Sequence, residues 1–468
     1  MSATFHGLEI AKSGLTAAQI AVNIANQNIA NAETEGYTRQ SVVQTSVSAG
    51  LGPFQFALSG PVVGQGVTVT EIMQNRDAYL DVRYRNANST YHAFSSSVSA
   101  LESIRGVLDE TDTDGLNVAL ADYYTALQDL SNNQQGTEYM SLLRSAGEKV
   151  TNVLNEYASQ LGQIGEELNY DLSLSVDDAN NLLSKINELN KNIAVSTVNG
   201  TDCNELKDQR NIYLDKLSEY MNISVTTGGT GMVSIKSGST TLLDTGTGMQ
   251  ATLSVGTGTA GTVVLDESGN ELSFSGGSFM GLLQSINGAG SYAGTGEETF
   301  QGVVYYQKAL DDLASAFAST YNTLNAGSGD LFASSDGSGT ITAGNICLSE
   351  DWKNDASFVD TSTGVPEKLR DAMNEKVSIS SGFTGTFEEY ASLLMGNVGL
   401  DASYYGDMAS AKNSIVESIQ DDREAVSGIS IDEETVNTIK YQKAYQAAAR
   451  VMTVLDEMLD TLINGMAV

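Results

Sequence analysis

Apolar residues recur at seven-residue intervals near the start of the chain. Each is followed three residues later by an alanine, at positions 11, 18, 25 and 32. Alternating steps of three and four residues are the a/d pattern of a coiled coil, and small alanines let two helices approach closely. We therefore predict a helix whose seam is formed by Leu8, Leu15, Val22 and Ile29.

A second stripe of the same kind closes the chain. Its apolar positions are Tyr441, Tyr445, Ala448, Met452, Leu455, Leu459, Leu462 and Met466. Ser430 followed by Glu433 has the S-x-x-E spacing of a capping box, which marks the start of a helix. We predict a final helix from about residue 431 to about residue 464.

Taken alone, either stripe also fits the core-facing side of a helix in a bundle. Two heptad stripes at opposite ends of one chain favour a closed pair of helices instead, parallel or antiparallel. Residues 1–35 with 430–468 are thus predicted to form a terminal coiled-coil domain. In this pair the first stripe is expected to pack against Leu455, Leu459 and Leu462.

The chain between the stripes begins with a turn and an extended segment. Asn26, Asn28 and Asn31 crowd the end of the first helix, and asparagine favours caps and turns over helix interiors. Gly36 supplies the turn that follows. Residues 40–70 are rich in β-branched residues and interrupted by proline and glycine, which predicts extended chain.

Helical periodicity then dominates, with one interruption. It covers about 77–222 and returns at about 297–324 and 387–424, while 327–365 is rich in glycine and serine, with short strands expected around Ile341 and Ile346. We predict a discontinuous helical core domain of antiparallel rods, formed by residues 36–222 with 295–429.

The interruption is glycine-rich, and we assign residues 223–294 to an inserted β domain. Short β-prone runs separated by turn residues predict a small antiparallel sheet, with strands at 233–235, 240–243, 251–255, 262–265 and 271–274. The predicted fold class is therefore mainly α with an inserted β domain.

Composition excludes several classes of function. The 468 residues hold 24 Lys plus Arg against 58 Asp plus Glu, a formal net charge of −34 that repels phosphate backbones and anionic lipid headgroups. We expect no nucleic-acid binding, no cleaved signal peptide and no membrane insertion. Cys203 and Cys347 lack the spacing of a metal site, and we expect two buried thiols. Packing such acidic copies side by side makes assembly sensitive to salt and pH.

Candidate chemistry is sparse. Residues 256–261 fit G-x-G-x-x-G, but a strand follows where a nucleotide site needs a helix. Residues 110–115 imitate the start of a calcium loop, yet Ala121 stands where an acid belongs; a helix-initiating loop capped by Asp114 is preferred. His6 and His92 lie far apart without flanking partners. We predict no catalytic residues, no metal site and no cofactor.

Residues 28–40 read N-I-A-N-A-E-T-E-G-Y-T-R-Q, a motif that resembles the signature of the flagellar hook-associated protein 1 (hook-filament junction protein) family. Rod and hook proteins share its first part, and the continuation from Tyr37 to Gln40 is typical of hook-associated proteins. Residues 441–451 and 456–463 resemble the closing helix of the family, and 204–211 an internal element. The matching signature residues are Asn28, Asn31, Thr34, Gly36, Tyr37, Arg39, Gln40, Arg450 and Asp456.

The resemblance implies a non-enzymatic structural subunit at the junction between hook and filament. It implies self-assembly in a ring or helical lattice, contacts with the hook protein and the second junction protein, and an export chaperone at the C-terminal helix. It further implies an extracellular, flagellar location reached by type III export. Arg39 and Arg450 either extend along a helix surface or pair with acids of a neighbouring subunit.

Two alternatives remain at this stage. One is another axial protein, such as the hook subunit or the second junction protein, against which residues 37–40 argue. The other is a secreted adhesin or glycosidase carried by the β insertion, with Asp266 and Glu267 as candidate carboxylates.

Overall fold

The computed structural model describes residues 2–47, 64–109, 115–134, 136–201, 203–258, 261–293 and 300–464, with side chains for residues 6–461 of these ranges. The described chain is mainly helical, with short antiparallel sheets inserted between the helices. Three predictions concern residues whose side chains lie outside the described part of the chain. They are the seam position Leu462, the helix cap Asp114 and the calcium-like loop.

The two ends of the chain form the predicted helices. They are α1 (Ser2–Ala30) and α11 (Ile431–Asn464), which pack against each other along their lengths. The α1 helix ends in the asparagine-rich segment, as predicted. At the start of α11 the Ser430 Oγ accepts a hydrogen bond from the Glu433 amide at 3.4 Å, which is one half of the predicted capping box.

An antiparallel hairpin joins α1 to the rest of the chain. Its strands are β1 (Gln40–Ser46) and β2 (Val67–Gln74), with a bulge between Val43 and Gln44. The extensive contacts of α1 are with α11 and this hairpin, and those of α11 are with α1. Among the described residues, the pair thus meets the body at the Asn28 end of α1, while the hairpin runs back along α1 as far as Ser13, whose Oγ accepts a hydrogen bond from the Val67 amide at 3.2 Å.

Long helices form the body. They are α2 (Ala78–Leu108), α3 (Leu116–Asn132), α4 (Thr137–Val198), α5 (Asn204–Tyr220), α6 (Ser278–Asn287), α7 (Val303–Leu324) and α10 (Phe387–Ser427). The α4 helix is a single rod of 62 residues in which leucine, isoleucine and valine recur on one buried face. The α10 helix is likewise unbroken, and α7 begins six residues later than the predicted position 297.

The β insertion contains two small sheets. One has the order β3 (Ser224–Thr227), β4 (Val233–Ser237), β5 (Thr240–Asp244) and β6 (Met249–Gln250), and the other is the hairpin β7 (Ser254–Gly258) and β8 (Gly261–Leu265). The predicted strand at 271–274 is wrong, because only Glu271 makes an isolated bridge, to Leu265. The predicted strand at 251–255 is also shifted, since β7 begins at Ser254.

Asparagines on α4 fix these sheets to the helix. Asn190 donates its Nδ2 to the Val233 carbonyl at 2.8 Å and accepts the Val233 amide at 3.0 Å, and Asn180 makes the same pair of bonds with Leu253. The strands also share one apolar core with the helices. The insertion is therefore packed onto the body, and the predicted domain boundaries stay predictions.

The remaining elements are short. They are β9 (Phe332–Ser334), β10 (Ile346–Leu348), α8 (Glu350–Asn354), α9 (Val365–Asp371), β11 (Val377–Ser380) and β12 (Phe383–Gly385). The strand expected at Ile346 is present, whereas Ile341 lies outside any strand. Cys203 is buried as predicted, but Cys347 is only partly buried, because it lies in the short edge hairpin β9–β10.

Candidate assembly site at the terminal helices

The terminal helices run antiparallel. Asn28, near the end of α1, donates a hydrogen bond to Glu434, near the start of α11, at 3.1 Å. At the opposite end a Cβ on Gly7 would lie 3.6 Å from the Leu455 methyl groups. A Cβ at this distance would make an ordinary van der Waals contact, so Gly7 and Leu455 are neighbours across the pair.

Alanines, rather than the larger residues of the stripe, form the most buried part of the α1 seam. Ala11, Ala18 and Ala25 of the predicted heptads are buried, whereas the buried Ala17, Ala21 and Ile24 lie on a side of α1 turned away from this stripe, where Ala17 adjoins Val67 and Val69 of the hairpin. The predicted seam residues Leu8, Leu15, Val22 and Ile29 are half-buried beside them, as are Tyr441, Met452, Leu455 and Leu459 of α11. Tyr445 is 38% exposed. Small residues at the centre with larger ones at the edges allow close approach of the two helices.

A second apolar face of α11, which the sequence analysis missed, is open to solvent. Val436, Val451, Val454 and Met458 are 65%, 51%, 48% and 57% exposed. On a helix with 100° per residue these positions share one side, roughly 120° away from the seam that faces α1. In the sequence this face corresponds to a second apolar stripe that begins at Val436. The stripe is hard to recognise because Lys440 and Lys443 occupy two of its positions.

Asn28 is the centre of the joint between the terminal pair and the body. It is fully buried. Its Nδ2 donates to the Gln40 carbonyl at 2.9 Å and to Glu434, and its Oδ1 accepts from the Gln40 amide at 3.0 Å and the Tyr37 hydroxyl at 3.1 Å. One side chain therefore connects α1, the signature segment, β1 and α11.

Tyr37 and Gly36 fit this joint for different reasons. Burial, followed by the nearby carboxylates of Glu205, Asp208 and Glu434, raises the pKa of Tyr37 to about 12, so its hydroxyl stays a donor to Asn28 well into the alkaline range. Gly36 has a φ of +73°, and a Cβ there would lie 2.5 Å from Ile212 on α5. Only glycine satisfies both the left-handed conformation and the close approach.

Replacing Gly36 by Ala is expected to destabilise the joint by about 2–4 kcal/mol, the combined effect of left-handed backbone strain and steric overlap with Ile212. Hydrogen–deuterium exchange of residues 2–40 measures this local loss. Gly200 is the matched control, since its φ is +68° but no atom lies within 4 Å of its Cβ position. Gly200→Ala therefore tests strain alone, and equal losses of local opening free energy in the two variants would refute the steric contribution of Ile212.

Arg39 links the signature segment to α11. Its guanidinium contacts Glu434 at 2.7 Å and Glu433 at 3.0 Å, and its amide donates to the Ser427 carbonyl at the end of α10 at 3.0 Å. Glu434 is 3% exposed, so this ion pair is largely removed from water. Both acids belong to the same chain, so within a single subunit Arg39 already has its partners.

Thr38 and Gln40 attach the same segment to the body. Thr38 donates its hydroxyl to Asp208 at 2.6 Å and its amide to the same carboxylate at 3.1 Å, and Gln74 adds a donor at 2.8 Å. Burial raises the pKa of Asp208 although Thr38 opposes the shift. Gln40 is buried, and its Nε2 reaches Glu205 at 3.4 Å. The carboxylate of Asp208 lies in the internal motif 204–211.

A network of buried charges beneath the joint was not predicted. Arg423 of α10 contacts Asp215 at 2.7 Å and Asp81 at 3.1 Å, and its guanidinium lies 4.3 Å from the centre of the Tyr84 ring. Arg76 binds Asp81 through two nitrogens at 2.7 and 2.9 Å. Burial alone would raise the pKa of Asp81, but the hydrogen bond and charge of Arg76 lower it. The network joins α2, α5 and α10 immediately below the terminal pair.

The other signature residues are local or exposed. Asn31 donates to the Gln27 carbonyl at 3.0 Å and accepts from the Thr34 hydroxyl at 3.3 Å, which caps the end of α1. Arg450 and Asp456 both lie exposed on α11. The structure therefore brings the N-terminal signature together at the joint and leaves the C-terminal pair on the open surface.

The positions weighed for other chemistry have structural roles. Asp266 accepts hydrogen bonds from the Ser268 and Asn270 amides at 2.8 and 2.9 Å, and the Asn270 side chain lowers its pKa. Gly256, Gly258 and Gly261 belong to the hairpin β7–β8. Among the described residues, no group of three or more His, Cys, Asp or Glu is arranged to hold a metal ion.

Both ends of the chain match families of flagellar rod proteins. Residues 8–38 match the family described as flagella basal body rod protein, and residues 424–465 match the flagellar basal body rod FlgEFG protein C-terminal family. These segments are α1 with its signature turn and α11 with the end of α10, which the structure pairs. The helix pair and its joint thus define a structural protein of the flagellar axis.

The middle of the chain is more specific. Residues 101–338 match the flagellar hook-associated protein FlgK helical domain. Flagellar hook-associated protein 1 of Bacillus subtilis strain 168 is 31% identical over 507 residues, an alignment that covers 100% of this chain and 99% of that protein. The chain belongs to the flagellar hook-associated protein 1 family, which confirms the resemblance of its signature.

More distant relatives match over part of the chain. The hook-associated protein 1 sequences of Escherichia coli K12 and Salmonella typhimurium LT2 are 30% and 28% identical over 224 residues, 47% of this chain and 40% and 39% of theirs. The structure of the flagellar hook junction protein FlgK from Burkholderia pseudomallei aligns with a TM-score of 0.60 at 14% identity and covers 74% of this chain and 100% of that one. At this identity the likeness shows the fold, and it confirms the predicted mainly α class.

Proposed function

We propose that this chain is a non-enzymatic subunit of the junction between hook and filament and that it assembles with copies of itself through its terminal helices. The observation that carries the proposal is the second apolar face of α11. A helix that is already paired on one side, and still exposes Val436, Val451 and Val454, has surface that further copies can bury.

The way the terminal pair is attached supports the same role. The pair contacts the body through the joint around Asn28 and the β1–β2 hairpin, and within the described chain the extensive contacts of α11 are with α1. An isolated helix is only marginally stable in water, and helices in proteins gain most of their stability from packing against other elements. Neighbouring copies in a lattice would therefore stabilise the terminal pair. With a net charge of −34, such packing brings acids together, and we expect assembly to depend on ionic strength.

The partners are proposed on the same basis. In addition to itself, the chain is proposed to contact the hook protein and the second junction protein, at the two ends of the ring it forms. Before assembly the exposed face of α11 needs cover to prevent aggregation, and we propose that an export chaperone binds there. The alternatives among axial proteins, the hook subunit and the second junction protein, are disfavoured by the match of residues 101–338.

Location outside the cell, reached by type III export without a cleaved signal, is part of the proposal. Within the described helices, none has the length and apolar character required to cross a membrane. A glycosidase or adhesin role for the β insertion has little support, because the Asp266 carboxylate is committed to its own turn.

A deletion strain tests the proposed function. We expect cells lacking the gene to make hooks without filaments and to be non-motile, and a plasmid copy to restore both filaments and swimming. Electron microscopy of isolated hooks, with an antibody against the chain, locates it at the hook tip. Filaments of normal length on the deletion strain would contradict the proposal, as would labelling along the hook shaft.

A further inference from the structure

The second apolar face of α11 also carries cations. Lys443 and Arg450 lie seven positions apart on this face, or about 10.5 Å along the axis. At 100° per residue, both lie within about 60° of Ala447, as do the exposed Val451 and Val454. The helix therefore presents apolar residues and positive charge to solvent on one side.

These two cations have no acid close to them on their own helix. Between Glu434 and Asp456 the α11 helix has no acidic residue, so each cation is at least six positions, or about 9 Å, from the nearest one. Both cationic side chains are exposed, and neither forms an ion pair within the described chain. In a protein with 24 Lys plus Arg against 58 Asp plus Glu, two cations without partners point to an acidic surface on a binding partner.

A patch of the opposite charge lies on the outer side of α4. Tyr170 and Leu174 are exposed there although both are large and apolar. Leu174 points about 160° away from the buried Leu172 around the helix axis, so it faces away from the core. Asp171 and Asp178 are also exposed and lie within about 60° of Leu174. The outer side of α4 therefore combines apolar residues with acids, as α11 combines them with cations.

The charged pairs on the two helices have the same spacing. Asp171 and Asp178 are seven positions apart, as Lys443 and Arg450 are. When α4 and α11 lie side by side and parallel, one axial position therefore places Lys443 opposite Asp171 and Arg450 opposite Asp178. At 100° per residue, both pairs then lie on the same side of the line of contact. A single arrangement thus satisfies both ion pairs.

The apolar residues meet in the same arrangement. Ala447 is four positions after Lys443, and Leu174 is three positions after Asp171, so the two lie within one residue, or about 1.5 Å, of the same level. Each is at the centre of its face, and the small Ala447 leaves room for the Leu174 side chain. An apolar centre with charged residues at its edge is typical of interfaces between proteins.

Resting on the proposed function, we propose that the second apolar face of α11 in one copy binds the outer side of α4 in a neighbouring copy. The contact includes two ion pairs, Lys443 with Asp171 and Arg450 with Asp178. Within the described chain α4 and α11 make no extensive contact with each other, so this pairing joins two copies. It joins two different faces of the same chain, which is the kind of contact that builds rings and helical lattices.

Cysteine cross-linking tests the contact. All chains carry Cys203→Ala and Cys347→Ala, so that only introduced thiols react. With Leu174→Cys/Ala447→Cys, a short bismaleimide added to isolated hooks with their filaments is expected to join neighbouring copies into dimers and larger oligomers. Either substitution alone should give monomers. The matched control Leu142→Cys/Ala447→Cys should also give monomers, because Leu142 is exposed on α4 but lies 32 positions from Leu174. Monomers from the first pair, or equal cross-linking of the control, would overturn the contact.

Charge reversal tests the ion pairs independently. In the deletion strain, Lys443→Glu/Arg450→Glu and Asp171→Lys/Asp178→Lys are each expected to lower the swimming rate to that of the deletion strain. The chain with all four changes restores opposite charges in exchanged positions and is expected to recover most of the wild-type rate. Failure of this recovery would show that the two pairs do not meet.

Two controls separate the pairing from other effects. Lys236→Glu/Lys376→Glu changes the net charge at exposed positions of the body and is expected to swim like the wild type. The amount of each chain in the medium measures export. If a charge variant is not exported, the cross-linking result decides, because the cysteine pair leaves all four charges in place.

The possible results separate the two proposals. If the wild-type plasmid fails to restore filaments, the proposed function itself is wrong. If it restores them, but the cysteine pair gives no oligomers or the fourfold exchange does not recover swimming, then the contact between α11 and α4 is wrong while the function stands.

Discussion

Replacing Asn28 by Asp is expected to release the terminal helices from the body. Asp has no donor for the Gln40 carbonyl or for Glu434, and it places a second carboxylate about 3.1 Å from that of Glu434, in a site where both residues are buried. Loss of one partner of such a buried polar pair costs about 3–5 kcal/mol. Because the whole free energy of unfolding of a protein is only about 5–15 kcal/mol, we expect the joint to open. We expect a filamentless, non-motile strain.

The measurement is limited proteolysis of the purified chain together with complementation. The variant should be cut between α1 and β1, near residues 31–39, while fragments that contain α4 persist. Asn23→Asp is the matched control, since Asn23 lies on the same helix but is exposed. Equal resistance of the Asn28 and Asn23 variants would show that the hydrogen bonds of Asn28 do not hold the joint.

Replacing Leu455 by Asp is expected to abolish incorporation into the flagellum while the body stays folded. Leu455 lies half-buried in the seam, against the backbone of α1 at Gly7, and Asp there would replace an apolar contact with a charge. Placing an unpaired charge in this seam costs on the order of 3 kcal/mol. In the described chain the extensive contacts of α11 are with α1 rather than with the body, so the circular dichroism of the body should change little.

Thr453→Asp controls for the added charge, because Thr453 is exposed on α11 outside the seam and outside the apolar face. It should complement the deletion strain, whereas Leu455→Asp should be found in the medium but absent from hook tips. A Leu455→Asp strain with normal filaments would show that the seam between α1 and α11 is not needed for assembly.

The sequence was most informative where structure is determined by near neighbours. The first helix ends where the asparagines and Gly36 predicted, and the last begins where Ser430 predicted, because caps and turns depend on a few adjacent residues. The strand predicted at 271–274 failed for the opposite reason: a β-prone run becomes a strand only if another strand is positioned to pair with it, and there the chain turns to α6 instead.

Which residues pair with each other in the joint could not be predicted from the sequence. Arg39 was singled out, but its partners are 394 and 395 positions away, and periodicity carries no information on which of 58 acids a cation meets. The same holds for Thr38 with Asp208 and for Arg423 with Asp81. The alanine centre of the seam was visible in the heptads, yet the larger residues were assigned to it because apolar volume usually determines which positions are buried.

The hydrogen bond between Asn28 and Glu434 spans 406 positions, and this separation has a kinetic consequence. Helices and hairpins of the body form from contacts that are close in sequence and therefore fold early, whereas this contact waits until nearly the whole chain is present. The first helix thus remains without its partner until the last one emerges. We expect the joint to close last, so that the terminal helices find their partners after the body has folded.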